Sequence, residues 1–370
     1  MGGLALALAL AAAASPGTDG LRTRLPPAPL ALFNVAWQRP FVGFPAMEVN
    51  PLEEGGVGVD PVSGMAVCGT RDGWLHSVRK DGSLAWEFKA ANGFAAPPIV
   101  DGDTIYAAGG DGRVYALALA DGALRWKYEA GEELGGRPVL AGGTLFVMSL
   151  DDTLFALDAR TGAWKWHSRR ETRGIDRGYT IRGTATPVVM GDTVYAAYSD
   201  GFVVALELAT GQIRWEAQVA PAGDYVDVDG LWSDGKRVYA GAYSGAVVAV
   251  DAVTGLPAWT YRAPGVTRVL GSGGLVFGVS PTQLVAVTAD QGTLVWSAPL
   301  VGSPGQAPTM AGRWLLVPAG DGGLRFVEPA TGRTLRTFNA GSGVSGEPAV
   351  RGNRVYVLSN QGVLYALDLQ

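Results

Sequence analysis

The amino-acid sequence predicts an all-β protein, an eight-bladed β-propeller of four-stranded antiparallel blades. Glycine supplies 54 of the 370 residues, and only 17% of residues are charged. This glycine share is about twice the usual ~7% and favours many tight turns over helices, in which glycine is costly. A similar segment also recurs along the chain and ends each time in a strand-like stretch. From residue 57 to residue 370, eight copies average roughly 39 residues, close to the ~40–50 residues of one blade.

The first 24 residues are interpreted as a secretory leader with its linker, and residues 25–370 as a single propeller domain. The run MGGLALALALAAAASPG is apolar, ends in small residues and is short for a membrane span, as in a signal peptide. No basic residue precedes Leu4, and no cysteine for lipid attachment lies near the expected cleavage region. A buried N-terminal helix is the alternative interpretation of this segment.

The repeated unit is clearest from Pro138 to Trp166 and from Pro187 to Trp215. In the second copy a β-branched run follows the proline, and a Gly-Asp turn leads into an alternating strand. An Asp-Gly turn then precedes a second apolar strand, and a Thr-Gly turn precedes the strand that holds Trp215. These signals predict four antiparallel strands joined by hairpins.

One tryptophan recurs on the fourth strand of most copies. Such a large flat side chain buries about 150–250 Å², and its indole N–H needs an acceptor, so we expect it to pack between adjacent blades. A ligand-binding aromatic cage is the alternative. The six positions are Trp86, Trp126, Trp166, Trp215, Trp259 and Trp296, and the seventh copy has Arg336 instead.

The two ends of the chain are predicted to close the ring. The last copy stops at Gln370 without a fourth strand, whereas the strand-like stretch from Leu32 to Phe41, with Trp37, has no blade of its own. Pairing of this N-terminal strand with the last blade would leave no unpaired sheet edge there.

Composition also limits the chemistry. The net charge is −5 and there is no long basic run, which argues against a nucleic-acid partner. Cys68 is the single cysteine, so an internal disulfide or a cysteine zinc cluster cannot form. We expect Cys68 to be a small buried hydrophobe, and His76 and His167 to lie on strand or turn surfaces. No catalytic residue, cofactor or metal is therefore assigned, although Asp224, Asp227 and Asp229 leave calcium binding as an alternative.

Units such as Ala156-Leu157-Asp158 through Trp166 resemble the ALDxxTGxxxW repeat of the quinoprotein-type eight-bladed propellers, over nearly all the chain after Leu30. One branch of that group is the pyrroloquinoline quinone (PQQ) dehydrogenases, which bind the quinone and calcium near the axis and typically have a vicinal disulfide. A single cysteine cannot form that disulfide, which argues against PQQ-dependent dehydrogenase activity. This activity is therefore kept only as an alternative. A ligand-sensing periplasmic propeller is a third possibility.

The sequence is more similar to the other branch, the BamB family of periplasmic scaffolds. The segment from Tyr179 to Gly183 is similar to the family's Leu-Ser-Leu-Arg-Gly, and Tyr225 to Asp229 is similar to its Ser-Asp-Val-Asp. The resemblance implies a noncatalytic subunit of the β-barrel assembly machinery, associated with the inner face of the outer membrane of a Gram-negative bacterium. Its partner would be the periplasmic (POTRA) domains of a BamA-like protein, with unfolded barrel clients as further candidates. The implied contact residues are Tyr179, Ile181, Arg182, Asp227 and Asp229.

The spacing of the repeats supports placing these two segments together. Val194 and Val238 occupy the same point in successive copies, 44 residues apart, and the same step from Arg182 reaches the neighbour of Asp227. Both segments are therefore expected at the entrance to the innermost strands of adjacent blades, at one end of the disc. A buried or rim salt bridge between Arg182 and Asp227 that links the two blades, with no partner involved, is the alternative.

Overall fold

The computed structural model describes residues 32–41, 52–170, 185–220, 227–300, 302 and 307–370. Within these ranges the regular structure consists of 32 β-strands in eight four-stranded antiparallel sheets. This confirms the predicted eight-bladed propeller. Across the same ranges, no helix has the length and apolar character that crossing a bilayer requires.

Blades 1–7 each consist of four consecutive strands, whereas blade 8 takes its fourth strand from the N-terminal end. The strands of blades 1–4 are β2 (Val57–Val59), β3 (Ala66–Gly69), β4 (Trp74–Val78), β5 (Leu84–Lys89); β6 (Ile99–Asp101), β7 (Thr104–Gly109), β8 (Arg113–Ala118), β9 (Leu124–Glu129); β10 (Val139–Ala141), β11 (Thr144–Met148), β12 (Thr153–Asp158), β13 (Trp164–Arg169); and β14 (Val188–Met190), β15 (Thr193–Ala197), β16 (Phe202–Glu207), β17 (Ile213–Gln218). The strands of blades 5–8 are β18 (Val228–Ser233), β19 (Arg237–Ala242), β20 (Ala246–Asp251), β21 (Pro257–Arg262); β22 (Arg268–Ser272), β23 (Leu275–Val279), β24 (Gln283–Thr288), β25 (Leu294–Pro299); β26 (Thr309–Ala311), β27 (Trp314–Pro318), β28 (Leu324–Val327), β29 (Thr334–Phe338); and β30 (Ala349–Arg351), β31 (Arg354–Leu358), β32 (Val363–Leu369), β1 (Phe33–Pro40).

The hydrophobic core lies between blades. The first strands of neighbouring blades contact each other around the axis, as β2 does with β6 and β30. The buried apolar residues form eight clusters, each shared by two adjacent blades, and the cluster with Phe146 and Leu154 from blade 3 and Val194 and Leu206 from blade 4 is typical. Each blade therefore buries both of its faces against its two neighbours.

The predicted closure of the ring is confirmed. β1 pairs with β32 in antiparallel register from Phe33 opposite Leu369 to Pro40 opposite Val363. Trp37 donates its indole N–H to the Lys80 carbonyl of blade 1 at 2.9 Å. The first and last strands of the described chain therefore share one sheet.

The six repeated tryptophans lie at the seams between blades. Each indole Nε1 donates a hydrogen bond of 2.8–3.0 Å to a backbone carbonyl of the next blade, at Leu119, Ala159, Leu208, Ala252, Ala289 and Pro329 in chain order. Each ring also lies against the glycine of the turn between the third and fourth strands of that blade. A Cβ atom on Gly211 would lie 2.6 Å from Cδ2 of Trp166. The seam contact therefore needs both the tryptophan and the glycine.

Arg336 occupies the equivalent place on β29, opposite Phe326, and its guanidinium lies over the ring of Phe33 at 5.6 Å. The next blade is blade 8, whose third and fourth strands are the chain-terminal strands β32 and β1. No turn joins these two strands, so this seam has no turn glycine to receive an indole.

The prediction for His76 is wrong, because this side chain in β4 is only 3% exposed. Its Nδ1 lies 2.8 Å from Glu87 Oε1, and its ring stacks on Phe41 at 4.0 Å. Burial lowers the pKa of His76, although Glu87 opposes this effect. Both faces of a middle strand are covered by neighbouring blades, which is why a polar side chain is buried here. His167 is exposed on β13, and Cys68 is fully buried, both as predicted.

Candidate functional site at the axial mouth

At one end of the propeller the segments that lead into the first strands surround the axis. Because neighbouring strands of a blade are antiparallel, a chain that leaves the fourth strand returns to the next first strand at this same end. A cavity of about 70 Å³ lies there, lined by residues of blades 2–8. We call this region the axial mouth, and its polar lining residues are Arg137, Thr186, Asp229, Arg268 and Glu347.

Asp229 reaches the axial mouth from a β-bulge in β18. The pairing with β19 passes from Val228 opposite Ala242 to Gly230 opposite Gly241, so Asp229 is the extra residue. A bulge redirects a side chain from the regular alternation of a strand. The next residue must be small, because a Cβ atom on Gly230 would lie 2.8 Å from the Val269 backbone nitrogen. The close approach of β18 and β22 therefore positions Asp229.

Both predicted acidic residues are buried. Asp227 and Asp229 are 1% and 6% exposed, and no described residue forms a hydrogen bond with the Oδ1 atom of either. The Oδ2 atom of Asp229 lies 3.8 Å from Nη1 of Arg268. Burial, followed by the charges of Asp229 and Asp152, raises the pKa of Asp227 to about 7. Burial raises the pKa of Asp229 to about 6, against the effect of Arg268. At neutral pH Asp227 thus retains a substantial protonated fraction, whereas Asp229 is mostly ionised.

Asp152 connects this region to the seam between blades 3 and 4. It lies in the turn between β11 and β12 with φ of +57°, the one non-glycine residue with positive φ in the described ranges. Its carboxylate accepts the backbone N–H of Ser199 at 3.0 Å and also the Ser199 hydroxyl. The left-handed conformation, which is uncommon outside glycine, is stabilised by these contacts with the next blade.

Ionic contacts cross the axis. The guanidinium of Arg137 from blade 3 forms an ion pair with Glu347, which leads into blade 8. Glu54, which leads into blade 1, has its pKa raised by burial, and the positive charge of Arg268 from blade 6 opposes this rise. Arginines from two blades therefore face carboxyl groups of blades that are not their neighbours.

The structure places the predicted site residues as follows. Asp227 directly precedes β18 and Asp229 lies within it, so both are at the entrance to the innermost strand of blade 5, as the repeat spacing predicts. Tyr179, Ile181 and Arg182 are outside the described residues, as is Asp224 of the calcium alternative.

The sequence interpretation missed four charged residues, Glu54, Arg137, Arg268 and Glu347. A signal for part of this set was present, because five copies share a proline just before or at the start of the first strand. The residue before that proline lines the axial mouth each time, and its chemistry differs between copies: Pro97, Arg137, Thr186, Ala307 and Glu347. The residue before the proline thus varies within an otherwise regular repeat, and this variation is the sequence signal for a side chain that lines the axial mouth.

The axial mouth does not fit the quinone and calcium of the PQQ dehydrogenases. Its volume of about 70 Å³ is well below the roughly 300–1,000 Å³ of small-molecule and cofactor sites. Arg137 and Arg268, which could bind the acidic groups of the quinone, already face carboxyl groups. Among the residues that the structure describes, no three His, Cys, Asp or Glu side chains form a metal-binding group.

Fold and site define a class, the eight-bladed propellers with PQQ-type repeats, here with a charged axial mouth. A family model described as outer membrane protein assembly factor BamB matches residues 71–289 and 281–370, and the chain belongs to this family. Outer membrane protein assembly factor BamB of Legionella pneumophila (strain Paris) is 27% identical over 198 residues, which are 51% of this chain and 52% of that protein. The chain thus spans about half the length of the curated relatives it matches.

Solved structures share the fold. The crystal structure of BamB from Moraxella catarrhalis aligns with a TM-score of 0.76 at 22% identity, covering 91% of this chain and all of that one (100%). A europium-containing methanol dehydrogenase aligns with a TM-score of 0.71 at 14% identity, covering 91% of this chain and 93% of that one. Both an assembly factor and a dehydrogenase have this architecture, so the fold alone does not distinguish their functions.

Proposed function

We propose that this protein is a noncatalytic scaffold of the β-barrel assembly machinery, located in the periplasm at the inner face of the outer membrane. It binds the periplasmic POTRA domains of a BamA-like partner and assists the insertion of outer-membrane β-barrels. The observation that supports this function most strongly is the family match, which extends from residue 71 to residue 370 and so includes most of the propeller. The misfit between the axial mouth and a quinone cofactor agrees with it.

The proposed mechanism is geometric. Eight seams closed by apolar packing, seven of them also by an indole hydrogen bond, make a rigid disc, which fixes the orientation of whatever docks on its end. Tyr179, Ile181 and Arg182 supply apolar and charged contacts, which exclude water and set the register of the partner. Because Asp227 and Asp229 are buried, their contribution is to fix the start of β18.

Binding of a BamA periplasmic fragment to the full chain tests this function. We expect Arg182→Ala to weaken binding at least tenfold. Arg214→Ala is the matched control, because Arg214 is paired with Asp192 in the turn after β14, at the opposite end of blade 4. Arg214→Ala should bind as wild type does. Undiminished binding by a folded Arg182→Ala variant would reject the contact site, and failure of the wild-type chain to bind would reject the scaffold function.

A further inference from the structure

Asp229 has an unmet requirement for a hydrogen-bond donor. Its side chain is 94% buried, lines the cavity of the axial mouth, and leaves Oδ1 without a partner among the described residues. Removing a carboxylate oxygen from water without a compensating donor is costly, so such an atom indicates a missing partner. The cavity that Asp229 faces has room for one.

The charges around the cavity specify the sign of that partner. Among the described residues that face the axis here, the carboxyl groups are those of Glu54, Asp227, Asp229 and Glu347, whereas the guanidinium groups are those of Arg137 and Arg268. Glu347 forms an ion pair with Arg137, and the single guanidinium of Arg268 faces both Asp229 and Glu54. The excess of acids favours a cation over an anion.

The shape of the cavity specifies the class of cation. A volume of about 70 Å³ accommodates about five water molecules at roughly 10–15 Å³ each, so the ligand must be small. Ala96, Val269 and Ala307 supply apolar walls beside the acid. Calcium takes about six to eight oxygen ligands, and the described residues offer no group of three or more acids for it. An N–H donor on a short alkyl chain matches both the oxygen and the walls.

We propose that the axial mouth binds a small primary alkylammonium ion, whose N–H groups donate to Oδ1 of Asp229 and whose alkyl part packs against Val269 and Ala307. This proposal is independent of the proposed scaffold function, and either can be correct if the other is not. For a ligand with three non-hydrogen atoms, the dissociation constant is expected on the order of 1 mM.

The test is a titration of the full-length protein with ethylammonium chloride at constant ionic strength, followed by saturation-transfer NMR. Tetramethylammonium, which has the same charge and no N–H, is the ligand control. We expect saturable binding of ethylammonium only. Asp229→Asn should weaken it at least tenfold, whereas Asp121→Asn, which changes an exposed turn carboxylate of blade 2, should not.

A second variant separates ligand binding from folding. Ala307→Val fills part of the cavity without changing a charge and should also weaken ethylammonium binding. Affinity should decline from pH 8 to pH 5, because Asp229, flanked by Asp227, Arg268 and Glu54, takes up a proton in this range. Lack of saturation in the wild-type protein, an equal response to tetramethylammonium, or unchanged affinity in both Asp229→Asn and Ala307→Val would overturn the proposal.

Discussion

Asp227 is a carboxyl group in surroundings that favour its neutral form. Its side chain is 1% exposed, and Asp229 follows two residues later, within β18. Asp152 adds a third carboxyl group from the neighbouring seam. Ionising Asp227 therefore costs free energy in the folded protein that it does not cost in the unfolded chain.

This cost predicts a specific dependence of stability on pH. The pKa of Asp227 is raised to about 7, against about 4 in an unfolded chain. The folded state therefore holds the proton more tightly, and this stabilisation is complete below about pH 4 and lost as pH rises to about 7. Asp227→Asn keeps the shape and removes the titration. The decrease in the free energy of unfolding between pH 5 and pH 8 should shrink in the variant, by on the order of 1–3 kcal/mol at about 1.4 kcal/mol per pKa unit.

Urea denaturation of both proteins at pH 5 and pH 8 measures this difference. Asp121→Asn is the control, because Asp121 is exposed and accepts the backbone N–H of Ala123 in a turn. It should leave the wild-type pH dependence intact. An Asp227→Asn protein with the same pH dependence as wild type would contradict the assignment of a raised pKa.

At the level of elements, a blade is joined to the next by an indole placed on a glycine. Trp166 of β13 donates to the Leu208 carbonyl at 3.0 Å and lies against Gly211, whose φ is +73°. Gly191 lies in the turn between β14 and β15 of blade 4, the blade that also contains Gly211, and has a similar φ of +59°. A Cβ atom added to Gly191 would meet no other atom within 4 Å. Substitutions at these two glycines thus distinguish the cost of backbone strain from the cost of disturbing the packing at the seam.

Gly211→Ala and Gly191→Ala are expected to differ in their effect on stability. Both variants place a non-glycine residue at positive φ, which costs about 1–2 kcal/mol. Only Gly211→Ala also displaces Trp166, which adds about 1–3 kcal/mol, as overpacking of a core does. Urea denaturation should therefore show the larger loss of unfolding free energy for Gly211→Ala. Equal losses for the two variants would mean that the indole contact contributes nothing to the seam.

The parts of the fold that depend on local signals were predictable from the sequence. Turn glycines and strand alternation recur within each copy, so the blades, the indole positions and the closing strand follow from the repeat. The axial mouth did not follow, since Arg137 and Glu347 are separated by 210 residues and meet only when the ring is complete. Burial of His76 and Asp229 was missed because polarity usually indicates exposure, whereas the inner strands here are covered on both faces.

At the level of the whole molecule, ring closure depends on arginine contacts as well as on β1. Arg351 donates to the carbonyls of Pro61 and Val62 in blade 1, at 2.9 and 2.7 Å. Arg354 donates to the Lys80 carbonyl at 2.8 Å. These contacts join blade 8 to its neighbour, whereas the ion pair of Arg137 with Glu347 joins it to blade 3 across the axis.

The cross-axis ion pair is expected to couple blades that share no seam. The side chains of Arg137 and Glu347 are 37% and 16% exposed, so solvent screens the pair only in part. Removing one partner leaves the other charge partly buried and unpaired. In a double-mutant cycle with Arg137→Met and Glu347→Gln, the coupling energy should be on the order of 1–2 kcal/mol. Hydrogen exchange in β30, β31 and β32 should accelerate in Glu347→Gln.

The ion pair of Arg125 with Asp103 is the matched control, because it joins β9 to the turn between β6 and β7 within blade 2. The two side chains are 37% and 81% exposed. Exposed pairs typically contribute about 0.2–1 kcal/mol, so its coupling energy should be smaller. Its loss should leave exchange in blade 8 unchanged, since it crosses no seam. A coupling energy for Arg137 and Glu347 no larger than this control, with unaltered exchange in blade 8, would mean that the closing blade is fixed by its own seams alone.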